Sequence, residues 1–127
     1  MRDFLLVGAG GFAGSVARYY LGGLITHAAG APRFPVATLA INTLGCLIIG
    51  VLGGLAEQSG AFNPAARLLL FTGLLGGFTT YSAFGFETLF LAREQRWAAA
   101  GLSVALHIAL ALPAVWVGYR AARLALA

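Results

Sequence analysis

Residues 76 to 85 read Gly76-Gly77-Phe78-Thr79-Thr80-Tyr81-Ser82-Ala83-Phe84-Gly85, inside a stretch otherwise apolar enough to cross a membrane. Adjacent glycines weaken a helix interior, and backbone that unwinds at membrane depth must find polar partners away from lipid. Such a break offers two kinds of chemistry. Carbonyl oxygens freed from the helix can hold a hard cation, as unwound helices do in transporters. Tyr81 and Phe84, three apart, share a face once helix resumes. Their electropositive ring edges can line an anion route, although aromatics at this spacing more often simply pack.

Other polar side chains in apolar surroundings are few. Asn42 falls near the middle of the second apolar stretch, with Thr38 one turn earlier on the same face. The Asn42 amide can donate to an anion, coordinate a cation through its oxygen, or bond a neighbouring helix. Ser103 and His107, four apart, give the last apolar stretch a polar face. That face is either a polar track or a set of interhelical hydrogen bonds. Arg18 is the deepest basic residue, where a charge near the bilayer centre costs about 2.5 to 3.5 kcal/mol on insertion scales. It either snorkels to the headgroups or attracts anions. Glu87, one turn beyond Phe84, can pair with an arginine, line a vestibule, or occupy a plain interfacial position.

These residues need helices to position them, and composition leaves no other element. The chain has 127 residues, 60% hydrophobic and 9% charged, with a mean hydropathy of +0.87. A soluble domain of this size could not cover its surface with so few polar groups. Spanning takes about 20 apolar residues, so the length holds four spans and little else. They are expected at about 4–24, 34–55, 65–91 and 98–117, in a single transmembrane domain. Gly30, Pro32 and Pro35 mark the first loop, and Asn63-Pro64 signals a capped start to the third helix. That third helix is long enough to carry a break at Gly76 to Gly85. Pro113 predicts a kink in the fourth. Arg18-Tyr19-Tyr20 stands where a signal-peptide cleavage site would need small residues, so the first stretch reads as a retained helix.

The same composition excludes several functions. All eight basic residues are arginines, most of them at predicted helix ends, and no nucleic-acid partner is expected. Cys46 is the single cysteine, which leaves no internal disulfide or thiol cluster. Acidic residues, histidines and the cysteine are scattered, without metal-ligand spacing or a nucleophile-base pair, so the chain is not read as an enzyme. The glycines from Gly8 to Gly14 lack the strand and βαβ context of a nucleotide loop.

Four spans put both termini on one side, with Arg2, Arg67, Arg120 and Arg123 there and Arg33, Arg93 and Arg96 opposite. With so little bias the chain can insert both ways up, and opposite-facing copies can pair as an antiparallel homodimer.

Taken together, the chain resembles the Fluc (CrcB) fluoride channel family. The resemblance is carried by Gly10-Gly11-x-x-Gly14-Ser15-x-x-Arg18-Tyr19 in the first span and Asn42-Thr43-Leu44-Gly45 in the second. In the third it is carried by the run from Gly76 to Phe84. It implies an all-α, dual-topology homodimer of the cell inner membrane that lets fluoride leave passively. It also implies a structural sodium ion (Na+) on the dimer axis, held by the backbone carbonyls of Gly76 and Thr79. Asn42 maps to the pore asparagine, and Tyr81 and Phe84 to the aromatic pair. Ser82, Thr38, Ser103 and His107 are candidates for the polar track, with Arg18 and Glu87 as vestibule or dimer-stabilising residues. Tyr81 departs from the usual phenylalanine, and His107 occupies a face that normally carries more hydroxyls. A four-helix proton-coupled exporter would need an embedded carboxylate, and the first span has none beyond Asp3. A packing scaffold would leave the Gly-Gly-Phe-Thr-Thr run without a purpose.

Overall fold

The computed structural model describes residues 1–30 and 33–126; Pro32, assigned to the first loop, lies outside them. The described residues form four helical rods and no strand. The first rod is α1, Arg2–Ala28, and the second is α2, Val36–Ser59. The third contains α3 (Pro64–Arg67), a π-helical segment (Leu68–Leu75), α4 (Gly76–Phe78) and α5 (Tyr81–Arg93). The fourth is α6, Trp97–Ala125. The second, third and fourth rods are long and apolar enough to cross a membrane. α1 has the length, but its glycines and Arg18 dilute its hydropathy.

The rods differ from the expected spans mainly at their ends. α1 continues four residues past Leu24, α6 eight past Val117, and α2 runs to Ser59, where Gly60 ends it in the left-handed conformation (φ 61°). α2 begins two residues later than expected because Pro35 occupies its N-cap. The predicted cap of the third rod is present: the Asn63 side chain accepts from the Ala66 amide at 2.8 Å, with Pro64 in the first turn. α6 runs through Pro113 without ending.

The break falls inside the expected window of Gly76 to Gly85 and is shorter than expected. Gly76 and Gly77 remain helical, and Gly85 lies within α5. Only Thr79 (φ −86°, ψ 158°) and Thr80 (φ −150°, ψ 113°) leave the helix. Gly77 serves contact rather than unwinding, since a Cβ on it would press into the Gly11 backbone. The π-helical turns just before the break widen the rod, a deviation that recurs at functional sites.

Helices in lipid gain little from the hydrophobic effect against one another, so close backbone approach decides which of them pair. Two parallel pairs result. α1 packs on the π segment and α4, with Gly10 beside Leu69 and Gly73 and Gly14 beside Leu74 and Phe78. α2 packs on α6, where Gly50 meets the Val115 carbonyl and Gly118 meets that of Leu47. Contacts between α1 and α2 and between α5 and α6 join the pairs. The fully covered apolar set is small, including Leu39, Ile41, Leu75, Phe78 and Leu91. Phe12, Tyr19, Phe86, Ile108 and Trp116 stay exposed, as a protein surrounded by hydrocarbon permits. The Arg120 guanidinium lies over the Trp116 ring at 5.9 Å, an interfacial pairing of aromatic and cation.

Replacing Gly118 by valine forces Cβ and two methyls into the Leu47 carbonyl, an overpacking of about 1 to 3 kcal/mol. Gly53→Ala, at a position with nothing within 4 Å, is the matched control. The expected outcome is a lowered thermal unfolding midpoint in detergent for Gly118→Val and an unchanged one for Gly53→Ala.

Candidate functional site

A helix broken at membrane depth exposes the carbonyls of the half that ends and the amides of the half that begins. Here side chains from α1 and α2 meet them. The Asn42 Nδ2 donates to the Thr80 carbonyl at 3.0 Å, and the Thr80 amide donates to Asn42 Oδ1 at 2.8 Å. The side-chain amide thus pairs with both polar groups of one residue, as a neighbouring strand would. One amide hydrogen of Asn42 remains for another acceptor. On the α1 side, Arg18 Nε donates to the Gly77 carbonyl at 3.1 Å, with Ser15 Oγ at 3.4 Å.

The threonines complete the turn. Thr79 Oγ1 donates back to the Leu75 carbonyl at 2.9 Å, and Thr80 Oγ1 caps α5 by accepting from the Ala83 amide at 3.1 Å. Thr80 Oγ1 also lies 3.2 Å from Ser82 Oγ. The Thr79 methyl occupies the space that a Cβ on Gly45 would fill. Among the described residues, no hydrogen bond from a neighbouring element ends on the Gly76 or Thr79 carbonyl. The amide that would have reached the Gly76 carbonyl in an unbroken helix, that of Thr80, is taken by Asn42. Gly76 is exposed, with open space where a Cβ would stand. Hard carbonyl oxygens of this kind suit a small monovalent cation.

The remaining predicted residues fall into two groups, one between α5 and α6 and one between α2 and α5. The Phe84 ring sits 5.4 Å from that of Tyr81 and 4.2 Å from that of His107, centroid to centroid. With Val104, Ile108 and Leu112 these three line a groove of about 230 Å³. Tyr81 is exposed, whereas His107 and Ser103 are buried. Thr38, one turn before Asn42 on α2, donates to Glu87 Oε1 at 2.8 Å. Glu87 also lines a cavity of about 310 Å³ with Arg33, Phe34 and Phe86. Several polar atoms are buried without a partner among the described residues: Thr43 Oγ1, Glu87 Oε2, Thr88 Oγ1, Ser103 Oγ and His107 Nε2.

The break therefore brings together Gly76, Thr79, Asn42, Arg18 and Ser82, while Thr38 and Glu87 form a separate pair toward the α1–α2 loop. Arg18 caps the end of the first half-helix through its Nε, where the macrodipole is negative. Thr80, Gly45 and Ser15 were not assigned from sequence. Thr80 carried a signal, since threonine ahead of a resumed helix is a preferred N-cap. The partners of the other two lie tens of residues away and left no local trace.

Fold and site define a small, all-helical, multi-pass membrane protein whose third helix is broken around its own backbone. The chain belongs to the CrcB family: the family model described as CrcB-like protein, Camphor Resistance (CrcB), matches residues 5–119. The fluoride-specific ion channel FluC of Methylobacillus flagellatus is 46% identical over 119 residues, covering 94% of this chain and 93% of that protein. Proteins of the same name from Elusimicrobium minutum and Chlorobaculum tepidum are 43% and 44% identical. The matches cover 99% and 98% of this chain and 98% and 97% of those proteins.

Asn42→Leu leaves the Thr80 amide and carbonyl without a partner, and each unsatisfied group costs about 1 to 3 kcal/mol. Hydrogen exchange followed by mass spectrometry is expected to show faster exchange in the peptide spanning Thr79 to Ala83. Exchange in α6 should stay unchanged.

Proposed function

We propose that this chain is a fluoride-selective channel that exports fluoride passively across the cell inner membrane and so protects the cell from fluoride. The observation that carries this reading is the near-full-length identity to chains named fluoride-specific ion channels. The clustering of polar atoms around one helix break supports it. Fluoride is small and tightly hydrated, so its route must supply donors in place of water while holding the ion weakly enough to release it. The free amide hydrogen of Asn42, the Ser82 hydroxyl and the edges of Tyr81 and Phe84 are such donors near the break, with the buried Ser103 hydroxyl farther along. A potential of about 100 mV, inside negative, is worth about 2.3 kcal/mol per charge, or roughly 40-fold in anion concentration at 1.4 kcal/mol per tenfold. No energy-coupling machinery is needed for export on that scale.

The working unit in this reading is an antiparallel, dual-topology homodimer. Gly76 is exposed and the Gly76 and Thr79 carbonyls are free of cross-element hydrogen bonds, so two copies meeting at this face would offer four oxygens. A sodium ion bound there would offset the facing carbonyl dipoles and tie the copies together. The break would then serve opposite charges at its two ends. The negative end of the first half-helix suits the cation, and the positive N-terminus of α5 suits the anion.

Purified protein in liposomes is expected to release fluoride but not chloride when a potential is imposed. Equal release of both, or of neither, overturns the channel reading. After exhaustive exchange into sodium-free buffer, dimer content by crosslinking and fluoride efflux are both expected to fall and to return with sodium. If both survive prolonged exchange, the cation site is wrong while the channel stands.

A further inference from the structure

In the groove shared by Tyr81 and Phe84, one side chain has only half of its hydrogen-bonding capacity engaged. His107 is 9% exposed, and its Nδ1 lies 2.8 Å from the Ser103 carbonyl. A carbonyl oxygen only accepts, so Nδ1 carries the hydrogen, and in the neutral ring Nε2 is a bare lone pair. Nε2 is buried and has no partner among the described residues, and neither does Ser103 Oγ one turn earlier. The Phe84 ring at 4.2 Å and 40° holds the imidazole against the groove wall.

We propose that His107 is a proton-operated control on anion passage. This rests on the channel reading above. In the neutral state Nε2 turns a lone pair toward a path that an anion must take and withholds a donor where the path has few. Taking up a proton converts the same atom into an N–H donor carrying positive charge, and the passing anion is its counter-charge. Fluoride passage therefore rises as the pH falls.

The surroundings leave this role to His107. α6 packs against α2 and α5. On α5 the titratable or charged groups are Tyr81, which shares the groove, Glu87, whose Oε1 accepts from Thr38, and Arg93 at the helix end. On α2 they are Cys46 and Glu57, and the latter accepts a hydrogen bond from Tyr119 at the far end of the pair. Between Trp97 and Gly118, α6 carries no other ionisable side chain. Histidine is the residue whose unperturbed charge change falls between about pH 5 and pH 8.

The test is fluoride efflux from liposomes, symmetric in pH, with leak from protein-free liposomes subtracted at each pH. Efflux through the natural chain is expected to rise about tenfold between pH 8 and pH 5. His107→Ser, which offers a hydroxyl at every pH, is expected to conduct with a flat profile. His107→Phe keeps a ring against Phe84 without a donor, and is expected to be slow and equally flat. Size-exclusion elution and melting temperature show whether each variant is folded. A flat profile in the natural chain, with fluoride selectivity intact, overturns the proposal and leaves the channel reading standing. So does a full pH response retained in folded His107→Ser. Loss of selective efflux at every pH in the natural chain overturns the channel reading itself.

Discussion

Backbone amides and carbonyls cannot be left unpaired in hydrocarbon, and a helix broken there exposes several at once. The pairing of the Asn42 amide with both polar groups of Thr80 meets that constraint at the point of greatest need. A single side chain supplies the donor and the acceptor that the missing helical turn would have supplied. The chain can then leave the helix for two residues with the Thr80 peptide groups paired. Arg18 does the complementary work at the Gly77 carbonyl, so each side of the break is held by a different helix.

That arrangement explains why the small residues lie where they do. Asn42 reaches Thr80 only if α2 lies close to the break, and Gly45 creates the space into which the Thr79 methyl fits. Arg18 and Ser15 reach Gly77 only if α1 runs tightly along the third rod, which the Gly10, Gly14 and Gly77 contacts allow. The packing pattern and the polar pattern are thus one design. Glycines bring backbones together, and nearby side chains use that proximity to pair with exposed peptide groups.

Much of this was legible in the sequence. Four apolar stretches, the Asn63-Pro64 start and the position of polar atoms in the third helix follow from composition and local propensity. The location of the break within that segment did not. Gly76-Gly77 looks like the weak point because glycine is a poor helix former. Yet both stay helical, Gly77 packed on Gly11, and the chain yields at the threonines, where Asn42 from outside the segment pairs with the Thr80 backbone. The bond that Thr38 makes was not legible for a similar reason. Sequence spacing puts it one turn from Asn42, but its bond is decided by which residue of α5 comes opposite, and that is Glu87. The bond from Arg18 to the Gly77 carbonyl was not foreseen because nothing local announces a carbonyl 59 positions away.

The partners of the break share a property that concerns how the protein is made. Ser15 and Arg18 lie on α1 and Asn42 on α2, so every side chain from another helix that bonds to residues 77 and 80 precedes them in the chain. Synthesis proceeds from the N-terminus, so these groups reach the bilayer before the peptide units they will receive. When the third helix leaves the ribosome, its exposed backbone meets a prepared surface and need not wait for α6 or a second copy. Biogenesis of the most polar stretch in the membrane is thereby decoupled from later assembly.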